Sequence, residues 1–335
     1  MTTIGTDHLT LNDWARRQNP EGKIAKIIEI LSKNNAILMD MPYVMGNLPT
    51  GHKTTIRSGL PTTAWRRLYE GIQPSKSRTV AVTDSIGMLE GYSEIDKDLA
   101  DLNGNTSEFR LSEDKAFLEA FAQEMASTVF YGNTDTDPEK FMGLSARYDL
   151  TTAENGGNII DGGGTGSDNT SIWLVGWGDN TCHGIFPKGG MSGIKHEDKG
   201  QQTLFDSSSN PYEGYRTHFQ WKTGLSLRDW RAVARVANID YSQMVSDDGT
   251  VSAGANLITS MIKAIHKIPP QVRNASRMVF YCNEAIETYL DLQTLKQTNM
   301  NVSYGKDAHG QEVMKFRGIP VRRCDAILNS EATIS

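Results

Sequence analysis

Cysteine is scarce in this chain: three in 335 residues, Cys182, Cys282 and Cys324. An odd number at wide spacing excludes a disulfide framework and a zinc ribbon, and it fits a reducing compartment. Long apolar runs are missing as well. No stretch approaches 18 consecutive apolar residues, so no membrane-spanning helix is expected. The segment from Met1 to His8 lacks a basic patch followed by an apolar core, so no secretory leader is expected. Positive charge is not in excess either. With 34 Lys+Arg against 40 Asp+Glu, the net charge is −6, a poor match to a tight, dedicated grip on a phosphate backbone. No repeat of fixed period occurs. What remains is a globular composition, 38% hydrophobic and 22% charged, long enough for one large domain or two ordinary ones.

Catalytic signatures are also lacking. Gly162-Gly163-Gly164-Thr165-Gly166-Ser167 lacks the Lys-Ser/Thr pair that a phosphate-binding loop carries after its last glycine, and no strand is expected before it, so it reads as a flexible loop. Cys182 and His183, with His196 or His218 nearby, do not have metal-ligand spacing, and neighbours on a strand point to opposite faces. Cys282 and Cys324 read as small buried hydrophobes. There is no Gly-x-Ser-x-Gly elbow and no His-Glu-x-x-His pair. Glu94, Asp96, Asp98 and Asp101 form a solvated polar run. No catalytic residue, metal ligand or cofactor is predicted. A hydrolase using an acidic pair is the alternative enzymatic reading.

The elements present define an α+β class. Ile24, Ile27, Ile28 and Leu31 mark a short amphipathic helix behind a polar N-terminal arm. From Ile37 to Tyr92 prolines and glycines punctuate a Thr-, Val- and Ile-bearing stretch. Within it Thr54–Arg57 and Arg78–Thr83 read as strands of a long hairpin, about 12–15 residues a side. An isolated two-stranded ribbon is marginal in water, so such an arm needs something to lie on. Next comes the strongest helix. Ser112 is its expected N-cap, Phe117, Phe121, Met125 and Val129 its apolar stripe, and Gly132 its end. Ser171 to Trp177 reads as a strand and Cys182 to Phe186 as its hairpin partner, across a turn at Gly178-Asp179-Asn180. Lys188 to Pro211 reads as a polar surface insertion. A second helix is expected to carry Trp230, Val233, Ala234 and Ala237. A third, with Ile258, Met261, Ile262 and Ile265, stops before Pro269-Pro270. A buried strand at Met278–Cys282, a helix from Asn283 to Thr294 and strands at Glu312–Phe316 and Ile319–Asp325 close the chain.

Charge is unevenly distributed. From His52 to Arg78 six bases (Lys53, Arg57, Arg66, Arg67, Lys76 and Arg78) face one acid, Glu70; from Asp84 to Glu124 eleven acids face three bases. The arm is net +5 and the following stretch net −8. The plain reading is two solvated faces. The functional reading lays the basic arm across the acidic stretch of a second copy, with Glu90, Glu94, Asp96 and Asp98 as receiving candidates. Trp65, Leu68 and Tyr69 beside Arg66-Arg67 suit a protein contact.

The order of these elements resembles the major capsid proteins of tailed phages, the Hong-Kong-97-type fold. Leu38 to Asn47 leads into the arm that family calls the E-loop, Ser112 to Phe121 resembles its spine helix, and Phe316 to Ile327 its closing strand. The runs Ser171–Gly178 and His183–Gly189 are similar to capsid proteins of short-tailed phages related to epsilon-fifteen. The resemblance implies an N-terminal arm (1–36), an extended hairpin (37–92) and a peripheral domain (93–150) with a spine helix at 112–131. It further implies an axial domain with its insertion (151–311, insertion 188–211), part of which returns to the peripheral domain, and closing peripheral strands (312–335). It also implies pentamers and hexamers of this chain forming an icosahedral shell around double-stranded DNA, which is touched weakly and without sequence preference. Other implied partners are a portal protein and a decorating or stapling protein at the insertion. With the hairpin starting near residue 40, a separate scaffolding protein is expected. Lys53, Lys76 and Asn329 are the residues an isopeptide lock would draw on, but no partnering buried Glu is identifiable and no such bond is predicted. The resemblance implies assembly in the host cytoplasm and residence in the virion, with no membrane contact. A non-viral encapsulating shell, which shares the fold, is a further alternative.

Overall fold

The computed structural model describes residues 9–10, 33–102, 104–246, 255–296, 302–306 and 312–335. The helix expected around Ile24–Leu31 lies outside them. After a short helix α1 (Ile37–Asp40) and strand β1 (Tyr43–Met45), β2 (Gly51–Gly59) and β3 (Arg78–Ser85) form a separate antiparallel ribbon. β4 (Gly87–Asp96), α2 (Lys97–Asp101) and α3 (Thr106–Tyr131) follow. The middle of the chain supplies β5 (Ile159–Asp161), β6 (Asn169–Trp177), β7 (Cys182–Phe186), β8 (Ile194–Phe205), β9 (Pro211–Leu227) and β10 (Val233–Asp240). Then come α4 (Tyr241–Ser246), α5 (Leu257–Lys267), α6 (Pro270–Ala275), β11 (Arg277–Cys282) and α7 (Glu284–Lys296), and the chain closes with β12 (Val302–Lys306), β13 (Glu312–Phe316) and β14 (Ile319–Arg323).

β6 is buried at every position. It pairs antiparallel with β10 on one edge and with β11 on the other, and β11 continues in parallel to β14. Alternate side chains feed two cores, as the two-residue period of a strand requires. Trp173, Val175 and Trp177 join Val233, Val279 and Tyr281 in the core that α3 covers with Phe130 and Val129. Ile172 and Leu174 join Val236, Phe280 and Cys282 in the core under α5 and α7. A second sheet region has the 17-residue β9 at its centre, with β8 on one side and β4 on the other. The stacked rings of Phe117 and Phe219, 5.7 Å apart, seat α3 on it.

Several sequence expectations change. Val233 to Ala237 is strand rather than helix, because β10 is buried on both faces and its apolar run hides the two-residue alternation. Cys182–Phe186 is not the hairpin partner of β6. The turn at Gly178 forms, with Thr181 N–H donating to Gly178 O (3.1 Å), but β10 and β11 take the edges of β6 along most of its length. β7 meets β6 only at one parallel bridge, Trp177–Cys182, and pairs with β1 and β9 instead. α3 begins at Thr106, so Ser112 is interior, and its hydroxyl donates back to Phe109 O (2.8 Å) rather than capping. The arm's paired strands are nine and eight residues long, shorter than expected, with residues 60–77 forming an irregular tip. Half of the insertion is strand β8. Gly132 does end α3: a Cβ there would lie 2.3 Å from Phe141 O, so the return of the chain across the helix end demands glycine.

A charged pair ties the chain's end to this core. Arg235 Nη2 donates to Glu331 Oε2 at 2.9 Å, with both side chains buried. Arg235 also donates to Ser171 Oγ (3.1 Å) and Tyr148 O (2.8 Å), and its guanidinium lies 4.7 Å from the Trp173 ring. Tyr131, at the end of α3, donates to Glu331 Oε1 at 2.5 Å. Removing one member leaves the other charge buried and unpaired. Glu331→Ala should therefore lower unfolding free energy by about 3–5 kcal/mol, measured by urea denaturation; a loss under ~1 kcal/mol would contradict this account.

Candidate functional site

The feature that no packing within the subunit explains is the arm. At ~3.3 Å per residue its nine-residue β2 projects about 30 Å. Every residue from 60 to 77 is exposed, and among them Trp65 and Tyr69 are fully so. The tip holds a turn in which Glu70 N–H donates to Arg67 O (3.3 Å), while Ser75 Oγ donates across to Thr62 O (2.7 Å). Lys53, Arg57, Arg66, Arg67, Lys76 and Arg78 are all exposed along this ribbon.

The base of the arm is fixed by groups that, apart from His183, the sequence reading did not single out. Asp84, the buried end of β3, accepts from Arg147 Nη2 (2.9 Å) and from Ser226 Oγ (2.8 Å) of β9. Opposite it in the register, His52 accepts at Nε2 from Arg228 Nη2 (2.7 Å) and packs edge-on to His183. Spacing could not have revealed this cluster, since its members come from five separated segments. The only local hint is a lone Asp in a basic Thr/Val strand. Beside it opens a polar cleft of about 810 Å³, lined by His52, Lys53, Arg57, Arg228, Arg231 and Glu154 among others. Its other carboxylate, Asp229, gives both oxygens to Arg231 (2.9 and 2.8 Å), so the cleft does not present the acidic pair a hydrolase would use.

The acidic candidates lie elsewhere and are partly engaged. Glu90, Tyr92 and Glu94 share one face of β4, opposite Gln220, His218 and Arg216 of β9. Glu94 pairs with Arg216 (Nε–Oε1 2.8 Å), and Glu90 accepts from Gln220, which holds its carboxyl below the usual range. Asp96 caps α2 by accepting from Asp98 N–H at 2.8 Å, and Asp98 itself is exposed. The structure thus keeps the arm's bases together and exposed, while three of the four acids serve their own subunit. Asn329 lies against Asn283, whereas Lys53 and Lys76 are exposed on the arm. Among the described residues no group of three or more His, Cys, Asp or Glu side chains could hold a metal ion, and no helix is long and apolar enough to cross a membrane.

Against known proteins, residues 19–335 match the family model of major capsid protein GP7. A chain of the bacteriophage Epsilon15 cryo-EM structure is 34% identical, with 100% of this chain and 99% of that one covered and a TM-score of 0.81. The bacteriophage JBD30 capsid is similar in fold alone, at 8% identity and a TM-score of 0.51, with 90% of this chain and 95% of that one covered. No curated protein matches the chain. Both likenesses carry the Hong-Kong-97-type arrangement expected from the element order.

The arm base also carries a pH dependence. His183 is fully buried; burial first, then the Arg228 charge, bring its pKa down from 6.5 to about 4. The unfolded chain takes up this proton below about pH 6.5, whereas the folded one does so only near 4. Stability contributed by the neutral ring is therefore complete above 6.5 and lost on acidification through that window, by roughly 3 kcal/mol in all. Urea midpoints of the subunit should fall between pH 7 and 4, and His183→Gln should flatten that fall. An unchanged slope in the variant would refute the assignment.

Proposed function

The chain belongs to the major capsid protein GP7 family, and from that premise we propose how it builds its shell. The protein is a structural, non-enzymatic component of a tailed-phage virion and associates with copies of itself. Residues 1–36 act as an N-terminal arm, 37–92 as the extended hairpin, and 93–150 with 312–335 as a peripheral domain around the α3 spine. Residues 151–311 supply the axial domain that meets its counterparts around rings of five and six. The observation that carries this reading is the exposed basic arm, a ribbon too thin to bury itself and held rigidly at its base.

Each arm lies over a neighbour, its positive field drawn to the acidic region that follows β3 in that copy. Complementary potentials of this kind set register and approach rate more than raw affinity. A separate scaffolding protein and a portal protein complete the particle in the host cytoplasm. The exposed edge of β8 offers free backbone groups to a decorating protein. The mildly acidic chain encloses double-stranded DNA through weak, sequence-independent contact.

Reversing the tip charges tests the arm. Arg66→Glu with Arg67→Glu should leave the circular dichroism spectrum of the subunit unchanged and cut shell yield, counted by electron microscopy, at least tenfold. Wild-type yield from this variant would sink the proposed role. Raising salt should slow assembly of the unmodified chain, because exposed charges are screened within about 8 Å at physiological ionic strength.

A further inference from the structure

Where β4 leaves the arm base, a small apolar pocket of about 100 Å³ opens between Gly87–Leu89, the α3 residues Glu124, Met125 and Thr128, and residues 139–141. Met125 and Phe141 are buried in it, while Met88 beside them is 65% exposed, a large apolar side chain left in water. Two carboxylates, Glu124 and Glu139, line the opening, and Asp137 reaches its Lys140. Glu124 and Asp137 engage Lys140 at 3.1 and 3.8 Å, and Glu139 adds a charge that this lysine does not balance. An apolar floor under a net negative rim calls for an apolar plug flanked by cations.

The chain carries such a plug. Trp65, Leu68 and Tyr69 surround Arg66 and Arg67 at the arm tip, all exposed. Tyr69 is held at φ +69°, a conformation disfavoured for a ring-bearing residue, in the turn that puts Leu68 and Tyr69 at the apex. Trp, Tyr and Arg are the residues most enriched where binding energy concentrates. The tip cannot fill its own pocket, because the pocket adjoins the arm's base and the paired strands hold the tip about 30 Å away. We propose that the pocket receives the arm tip of a second copy, with Trp65, Leu68 and Tyr69 covering Met88 and Met125 while Arg66 and Arg67 meet Glu124 and Glu139. The proposal rests on the reading that the arm crosses onto a neighbour, and it names where the arm lands.

The test replaces Tyr69 with the photocrosslinker p-benzoylphenylalanine in the full chain, isolates particles from cells that support their formation, irradiates them and maps cross-links by mass spectrometry. The expected products join position 69 of one copy to Met88 or Met125 of another. Cross-links to a different segment of another copy would overturn the pocket and leave the crossing arm standing. Links confined to a single copy would overturn both. Met88→Asp provides a second measurement that does not depend on the photocrosslinker. This exposed substitution should leave subunit folding unchanged and reduce particle yield at least tenfold; normal yield overturns the pocket.

Discussion

A strand with apolar side chains on both faces must be covered twice, and β6 imposes that requirement on the whole subunit. One cover is α3, whose Phe130 meets Trp173; the other is the layer of α5 and α7. Both edges of β6 need partners as well, and they come from far along the chain, in β10 and β11. Arg235 lies among these elements and binds the returning tail through Glu331, so the end of the chain is locked to the sheet laid down near its middle. A subunit organised this way is stiff at its centre and free to project at its margins.

Local signals in the sequence carried the elements whose pattern is local. The closing half of α3, ending at Gly132, follows from its apolar stripe, and Leu257–Lys267 from the stop at Pro269-Pro270. The early start of α3 was hidden because Ser112 imitates a cap, while its hydroxyl bonds backward inside the helix. β10 was misread because burial on both faces erases the alternation that marks a strand. The fate of β7 could not be read from its turn, because the competition for the edges of β6 is decided by residues fifty and a hundred positions later.

The proposed assembly surface has only part of its features written locally in the sequence. The charge contrast between arm and following stretch is visible in composition, as is the cluster around Arg66-Arg67. The sequence does not reveal that Glu90 and Glu94 are engaged by Gln220 and Arg216 across a strand pair. Nor does it reveal the Asp84–Arg147–Ser226 clamp that anchors the base of a marginal ribbon. Such clusters exist only once the topology has brought distant segments together.

The arm's length has a consequence for counting. If the tip of one copy seats in the pocket of the next, as proposed, their union is head-to-tail, because each copy carries one tip and one pocket separated by an arm's reach. A pair of copies joined this way still shows one bare tip at one end and one empty pocket at the other. Adding a third or a fourth copy moves these loose ends without removing them. Only a closed ring brings the tally of uncovered tryptophans to zero, so closure, rather than pairing, is the first state of this molecule with nothing left to donate.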